Sequence, residues 1–546
     1  MHRRRLLIGA FSFAAAALVA LAAVFVSGAG ASPRLAAQAA AGPRPEVQQA
    51  VHHDVSPALR DLPHYNNSSG VRRDFPLRLL PVPEGANIQP DPVVQSSTPG
   101  PQVNTSAGLN FAGIGDTSNT PGNPCNCAPP DTNGAVGATQ FVQWVNSAFA
   151  VYDKSTGALV AGPTAGNALW AGFGGGCQAN NDGDPIAQYD KANNRWVLTQ
   201  FSVSTTPFLQ CVAVSTTSDA TGTYNRYAFQ EPNFNDYPKL GIWPDGYYIS
   251  FNIFNGNTFS GARACSFNGA AMRAGAAATQ VCFQLSSSFG SLLPSDLDGA
   301  TAPPAGSPNY FLNFGTNSLR VWKFHVDFAT PANSTFTGPT SIAVAAFTAA
   351  CSGGGTCIPQ PGTSNKLDSL ADRLMYRLAY RNRGGTESLL VNHSVTVSGN
   401  RHTSVTGVRW YELRVSRSSD PTGTLSVAQQ GTLSPDSNSR WMGSIAMDKV
   451  GDIALGYSVS SSSVFPGIRY TGRVPGDPIN TMEAETTLLT GTASQTGSLH
   501  RWGDYSSMSV DPVDDCTFWY TTEYIPSTGS FNWKTQIASF KFPGCQ

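Results

Sequence analysis

The sequence predicts an all-β fold, a seven-bladed β-propeller, with a six-bladed propeller or a multi-sheet β-sandwich as the alternatives. Three observations point there. First, a polar knot around an aspartate recurs ahead of short aromatic or β-branched runs. It is seen at Pro129-Pro130-Asp131, Asp182-Gly183-Asp184-Pro185, Asn235-Asp236-Tyr237-Pro238, Ser295-Asp296-Leu297-Asp298, Ala371-Asp372-Arg373, Ser439-Arg440-Trp441 and Trp502-Gly503-Asp504-Tyr505. Second, the steps from Asp131 through Asp184, Asp236, Asp298, Asp372 and Arg440 to Asp504 are 53, 52, 62, 74, 68 and 64 residues, each enough for a four-stranded antiparallel sheet with its loops. Third, no helical period is sustained, whereas strand-turn-strand phrases are frequent.

Pro185–Asp190, the turn Lys191–Asn194 and Arg195–Phe201 form one such hairpin phrase. Ser444–Asp448, Lys449–Gly451 and Ile453–Ser458 form another, and Ser507–Asp511, Pro512–Asp515 and Thr517–Glu523 a third. Each has a small-residue strand ending on an acid, a polar turn and an aromatic strand. Small side chains suit strands that crowd toward an axis. The alternating run Asn532–Phe542 supplies outer strands for the last sheet, since a radial fold must close its ring to hide its edges.

Ahead of this domain, taken as residues 109–546, lie two other segments. In residues 1–32, Arg3-Arg4-Arg5 precedes an apolar stretch from Leu6 to Val26 and then small residues around Ala29 and Ala31. This is the pattern of a signal peptide, with an uncleaved membrane anchor as the alternative. Residues 33–108 are rich in Pro, Ala, Gln and Ser, which predicts a disordered linker or a pro-segment lying loosely over the fold, including a removable inhibitory one.

All ten cysteines follow the leader, which fits an oxidising compartment. Local pairing favours Cys265 with Cys282, Cys351 with Cys357 and Cys516 with Cys545; the other four are open. The expected location is secreted or periplasmic, with no membrane contact after signal cleavage, and the expected state is a monomer. Net charge is −1 and only 13% of residues are charged, so there is no basic stripe for nucleic acid.

Equivalent positions of a propeller converge. Asp131, Asp184, Asp236, Asp372 and Asp504 are therefore expected at the starts of innermost strands, around one mouth of the channel. Asp153, Asp190, Asp448 and Asp511 belong at the opposite face. Clustered carboxylates either divide into an acid and an ionised partner for glycosidic chemistry or hold a hard cation. Asp236, Asp504 and Asp372 are the catalytic candidates. Asp182 and Asp184, in an Asn-Asp-Gly-Asp loop, are the candidate calcium ligands. Arg373, Arg440 and Arg469 sit at unit boundaries and offer guanidinium forks for a substrate carboxylate. The loop Asn235–Tyr248 displays Tyr237, Trp243 and Asp245, and Trp502 adds a further aromatic plate for a sugar ring. Each aspartate could instead serve only its own turn, and the arginines could simply neutralise neighbouring acids.

The repeat of aspartate, small strand, polar turn and aromatic strand over residues 125–545 resembles secreted bacterial β-propellers of the sialidase-like, glycan-active kind. The Ser-x-Asp-x-Gly-x-Thr-Trp box of sialidases is not present; Asp511–Trp519 echoes it. The resemblance implies an exported carbohydrate-active protein, a glycoside hydrolase or lyase acting on extracellular polysaccharide or glycoconjugate. The alternatives are a non-catalytic glycan-binding or adhesion propeller and a structural exported protein.

Overall fold

Residues 43–63, 72–82, 89–97, 103–116, 125–399 and 404–546 are described in a computed structural model of the chain. The leader, 1–32, lies outside them. From Asn133 onward, strands and tight turns alternate as the hairpin phrases require. At one such turn the Asp190 carboxylate accepts the Asn193 N–H at 3.1 Å, and Asn194 takes a left-handed φ of 53°. Asparagine tolerates that conformation because its short polar side chain can bond locally.

These hairpins build successive four-stranded antiparallel meanders. The innermost strands are Asn133–Val136, Ile186–Asp190, Phe234–Trp243, Leu293–Asp298, Met375–Arg383, Ser439–Met447 and Ser507–Val510, seven among the described residues. Each packs against the next, and the last packs against the first, so the strands ring an axis as a β-propeller. Most strands are buried on both faces, as Leu209–Ser215 is throughout, because every sheet is sandwiched between two others. Apolar residues therefore run continuously instead of alternating. Trp144, Trp196, Trp322 and Trp410 fill the spaces between sheets.

The ring closes differently from the expectation. The last sheet takes three strands from the C-terminal region, and its fourth is Ser106–Gly115, antiparallel to Lys534–Lys541. Leu109 and Phe111 are half-buried between exposed neighbours, the alternation of a strand with one covered face. The boundary at 109 thus falls inside a strand. The described part of the 33–108 segment also differs from a loose linker. Glu46–Gln49 and His52–Val55 add fifth strands to two sheets, and Val94–Gln95 joins another in parallel. Ion pairs anchor them: Glu46 with Arg263, Asp54 with Arg226, and fully buried Asp91 with Arg409. Composition conceals this because the anchoring partners lie far along the chain.

The three favoured disulfides are present, and the remaining cysteines pair as Cys125–Cys127 and Cys177–Cys211. These pairs are consistent with an oxidising compartment. Among the described residues no helix is long and apolar enough to cross a membrane.

Replacing Ser106–Gly115 with a Gly/Ser segment is expected to lower the melting temperature and promote aggregation, because it uncovers a strand edge. Thermal scans with light scattering test this. An unchanged profile would mean that the closing strand contributes nothing to stability.

Candidate functional site

Five of the seven repeated phrases, those of Asp131, Asp184, Asp236, Asp372 and Asp504, meet around one mouth near the starts of innermost strands. Asp131, Asp184, Tyr237 and Asp504 share an unusual backbone there, with φ of 49°, 45°, 55° and 61°. Aspartate enters this left-handed region comparatively easily. Tyr237 does so at a cost of about 1–3 kcal/mol, which its surroundings must offset. The shared turn aims the side chains of separate sheets at one cavity of about 290 Å³. Asp131, Asp182, Asp184, Asp236 and Asp504 line it, with Arg373, Arg501, Phe201, Phe234 and Tyr237. Residues 73–78 of the N-terminal segment contribute Arg73, Phe75, Pro76 and Arg78.

Its acids sit in contrasting environments. Burial first, then the charge of Asp184, pushes the Asp236 carboxyl up to about 7, against the pull of Arg373 and Arg78. Asp131 is raised well above the carboxylate range by burial and by the charges of Asp184 and Asp504, and it hydrogen-bonds Asp184. Burial also raises Asp184, opposed chiefly by Lys239, while the Tyr237 N–H donates to it at 3.0 Å. Asp131 and Asp184 form a pair that shares a proton, since two adjacent buried carboxylates cannot both ionise. Asp504 differs: the Arg501 Nη2 group donates to both its oxygens, at 2.6 and 2.7 Å, as a charge-assisted ion pair. Arg501 also donates to Asp368 at 2.8 Å.

Beneath the cavity lies Lys239. Its ammonium is 3.4 Å from the centroid of the Tyr237 ring and 3.9 Å from that of Tyr505. Burial lowers its pKa to about 7, although Asp184 and Asp131 favour its charged form. The lysine therefore offsets the acids above it while the two rings hold it in place.

The other predicted residues fall into two groups. Asp372 stands beside the cavity, but Arg373 donates to both its oxygens at 2.6 and 3.0 Å, and the Leu80 N–H at 2.6 Å. Asp372 is therefore the residue that orients Arg373. Arg440, Arg469, Trp243, Asp245 and Trp502 are not brought to the cavity. Arg440 is fully buried between Asp436 and Glu485, and Arg469 meets the same Glu485 at 3.0 Å, so both neutralise structural acids. Trp243 donates its indole N–H to the Ser307 carbonyl and is buried against Tyr380. Trp502 donates to Ser458 Oγ and packs on Trp441. Neither ring is available as a sugar platform. Asp245, in an exposed hairpin turn, accepts from Tyr248 at 3.0 Å.

Asp182 lines the cavity, but its carboxylate is committed to the neighbouring loop that follows the strand Arg195–Ser202. It accepts the Val203 and Ser204 N–H groups at 2.6 and 2.7 Å and the Ser204 hydroxyl. The fourth anchor is displaced: Asp298 ends its strand instead of beginning it and pairs with Arg377 at 2.6 Å. Asp190, Asp448 and Asp511 lie at the inner-strand ends as expected, and each accepts N–H bonds from its own turn. Asp153 ends an outer strand instead.

Sequence reasoning missed Lys239, Asp368, Phe75 and Arg78. Lys239 could have been found, because a lysine inside a two-faced buried strand is rare and needs partners. The other three come from segments whose nearness to the mouth has no local signature.

No protein-family model matches the chain, and no curated protein does. Among solved structures, the WD40 domain of SCAP from fission yeast is similar over 74% of this chain and 82% of its own, at 7% identity and a TM-score of 0.30. An exo-β-1,3-galactanase from Clostridium thermocellum matches over 75% and 90%, at 9% identity and a TM-score of 0.28. An α-L-arabinofuranosidase from Lactobacillus brevis matches over 65% and 89%, at 9% identity and a TM-score of 0.26.

Proposed function

We propose that the mouth cavity is the active site of an exported enzyme that cleaves glycosidic bonds in an acidic polysaccharide. One observation carries this reading: two carboxyl groups line one cavity in contrasting surroundings, Asp236 buried and raised to about 7, Asp504 held on both oxygens by Arg501. Glycosidic cleavage needs such a division. A protonated carboxyl donates to the leaving oxygen, and an ionised one activates water or attacks the sugar carbon. Asp236 fills the first role and Asp504 the second. Arg373 and Arg501 present positive charge to a substrate carboxylate, and Phe234 and Tyr237 supply the aromatic walls in place of Trp243 and Trp502. With residues 73–78 in place the cavity is near the lower end of ligand-pocket sizes.

The test is a panel of acidic and neutral polysaccharides assayed for reducing ends and for unsaturated products. The reading expects turnover of an acidic polymer. Turnover should fall as pH rises through about 7, because deprotonation of Asp236 removes the acid. Binding with no turnover at any pH would replace this reading with a glycan-binding module. Calcium forms a separate arm. A rise in melting temperature on adding calcium, lost in Asp182→Asn, would assign a cation to the Asp182–Asp184 loop. An unchanged melting temperature would remove it.

A further inference from the structure

Residues 72–82 lie across the mouth, where only Arg73–Asp74 is β-paired, in parallel with Cys127–Ala128. Few of its residues are deeply buried: of residues 72–80 only Leu80 is buried, Pro76 and Leu79 are exposed, and Phe75, Leu77 and Val82 are half-buried against the core. The segment is held by polar contacts to site residues. Arg501 Nε donates to the Phe75 carbonyl at 2.9 Å, Arg373 donates to the Arg78 carbonyl at 3.0 Å, and the Leu80 N–H reaches Asp372. The Arg78 guanidinium lies 4.6 Å from the centroid of the Phe234 ring, on the wall next to Asp236.

The seat is shaped for it. A Cβ at Gly290 would come within 2.9 Å of Leu80 Cδ1, one at Gly353 within 2.9 Å of Val82 Cγ2, and one at Gly354 within 2.8 Å of Leu79 Cδ2. The two carbonyls take guanidinium donors that the preceding reading assigns to a substrate carboxylate, and Arg78 covers the aromatic wall.

We propose that residues 72–82 are an autoinhibitory strap, which occupies the substrate position of the mouth within the same chain and must leave before a polymer can enter. This rests on the mouth being the active site. Displacement exchanges two carbonyl acceptors for an anionic one on the same arginines, a stronger partner for a guanidinium. A segment with a two-residue strand pairing and mostly half-buried or exposed side chains opens more readily than the blades beneath it.

The experiment uses the full chain and two variants, one with residues 73–80 replaced by Gly/Ser and one carrying Leu80→Pro, which removes the donor to Asp372 together with the buried Leu80 side chain. Asp236 is coupled to glycinamide with a carbodiimide, and the rate is followed by peptide mass spectrometry. The strap account expects at least about tenfold faster coupling at Asp236 in either variant. In the parent it expects the amides of Phe75 and Leu80 to exchange hydrogen far faster than those of Leu209–Ser215. Coupling equally fast in parent and variants, or strap amides as slow as blade amides, would overturn it. These readouts do not depend on turnover. A strap that opens without any glycan being cleaved would defeat the enzyme reading and leave the strap standing.

Discussion

Asp236→Asn is expected to lower turnover of the acidic polysaccharide by about 10²–10⁴-fold while leaving substrate binding in place. The amide keeps the size of the carboxyl and some of its hydrogen bonding but has no proton to give. The parent group is poised because burial and the charge of Asp184 raise it to about 7, with Arg373 and Arg78 opposing. Removing this charge should also ease the crowding of acids, so the variant should melt no lower than the parent. Steady-state kinetics and a thermal scan check both halves. Activity within about threefold of the parent would remove Asp236 from the acid role, because loss of a general acid costs at least about a hundredfold. Asp504→Asn should be equally damaging to rate, but it also leaves Arg501 short of a partner and should reduce stability.

Arg377→Met is expected to destabilise the fold by about 3–5 kcal/mol, the usual cost of leaving a buried charge unpaired. Arg377 lies in the inner strand Met375–Arg383 and is almost fully buried. It donates to Asp296 and Asp298 at 2.6 Å each and to the Met508 carbonyl at 2.9 Å, tying three inner strands together. Methionine fills a similar volume but leaves Asp296 without its ion pair and Asp298 with Lys191 alone. There is a pH signature. Burial alone would raise Asp298, but Arg377, Lys191 and Arg381 outweigh it and hold the group at about 2. Its contribution to stability is therefore full above the unfolded carboxylate range and is lost as pH falls through about 2. Denaturant titrations of parent and variant should differ strongly at neutral pH and converge in acid. Equal stability at neutral pH would show that the network is not holding the strands.

The repeating aspartate phrase was legible because it marks a backbone event, the left-handed turn before an inner strand. Asp131, Asp184 and Asp504 each sit on that turn. Where the phrase lacked the turn, register was lost: Asp298 carries the same local composition but closes its strand, and spacing alone cannot tell a strand's start from its end. The arginines show a different limit. Arg373, Arg440 and Arg469 look alike as boundary residues, and only the position of Glu485 separates the last two from the site. Trp243 and Trp502 were misplaced for a related reason. An indole near an acid reads as a platform until a carbonyl or hydroxyl is found to satisfy its N–H in the interior. The closing strand Ser106–Gly115 and the strap pair with residues hundreds of positions away, beyond the reach of a local pattern.

The account depends most directly on Asp236 carrying a proton near neutral pH. The deciding measurement is a carboxyl-carbon titration of the full chain labelled with ¹³C-aspartate, in which Asp236→Asn identifies the resonance. The expected midpoint is about 7. A midpoint near the ordinary value of about 4 would contradict the acid assignment and the glycosidic chemistry built on it.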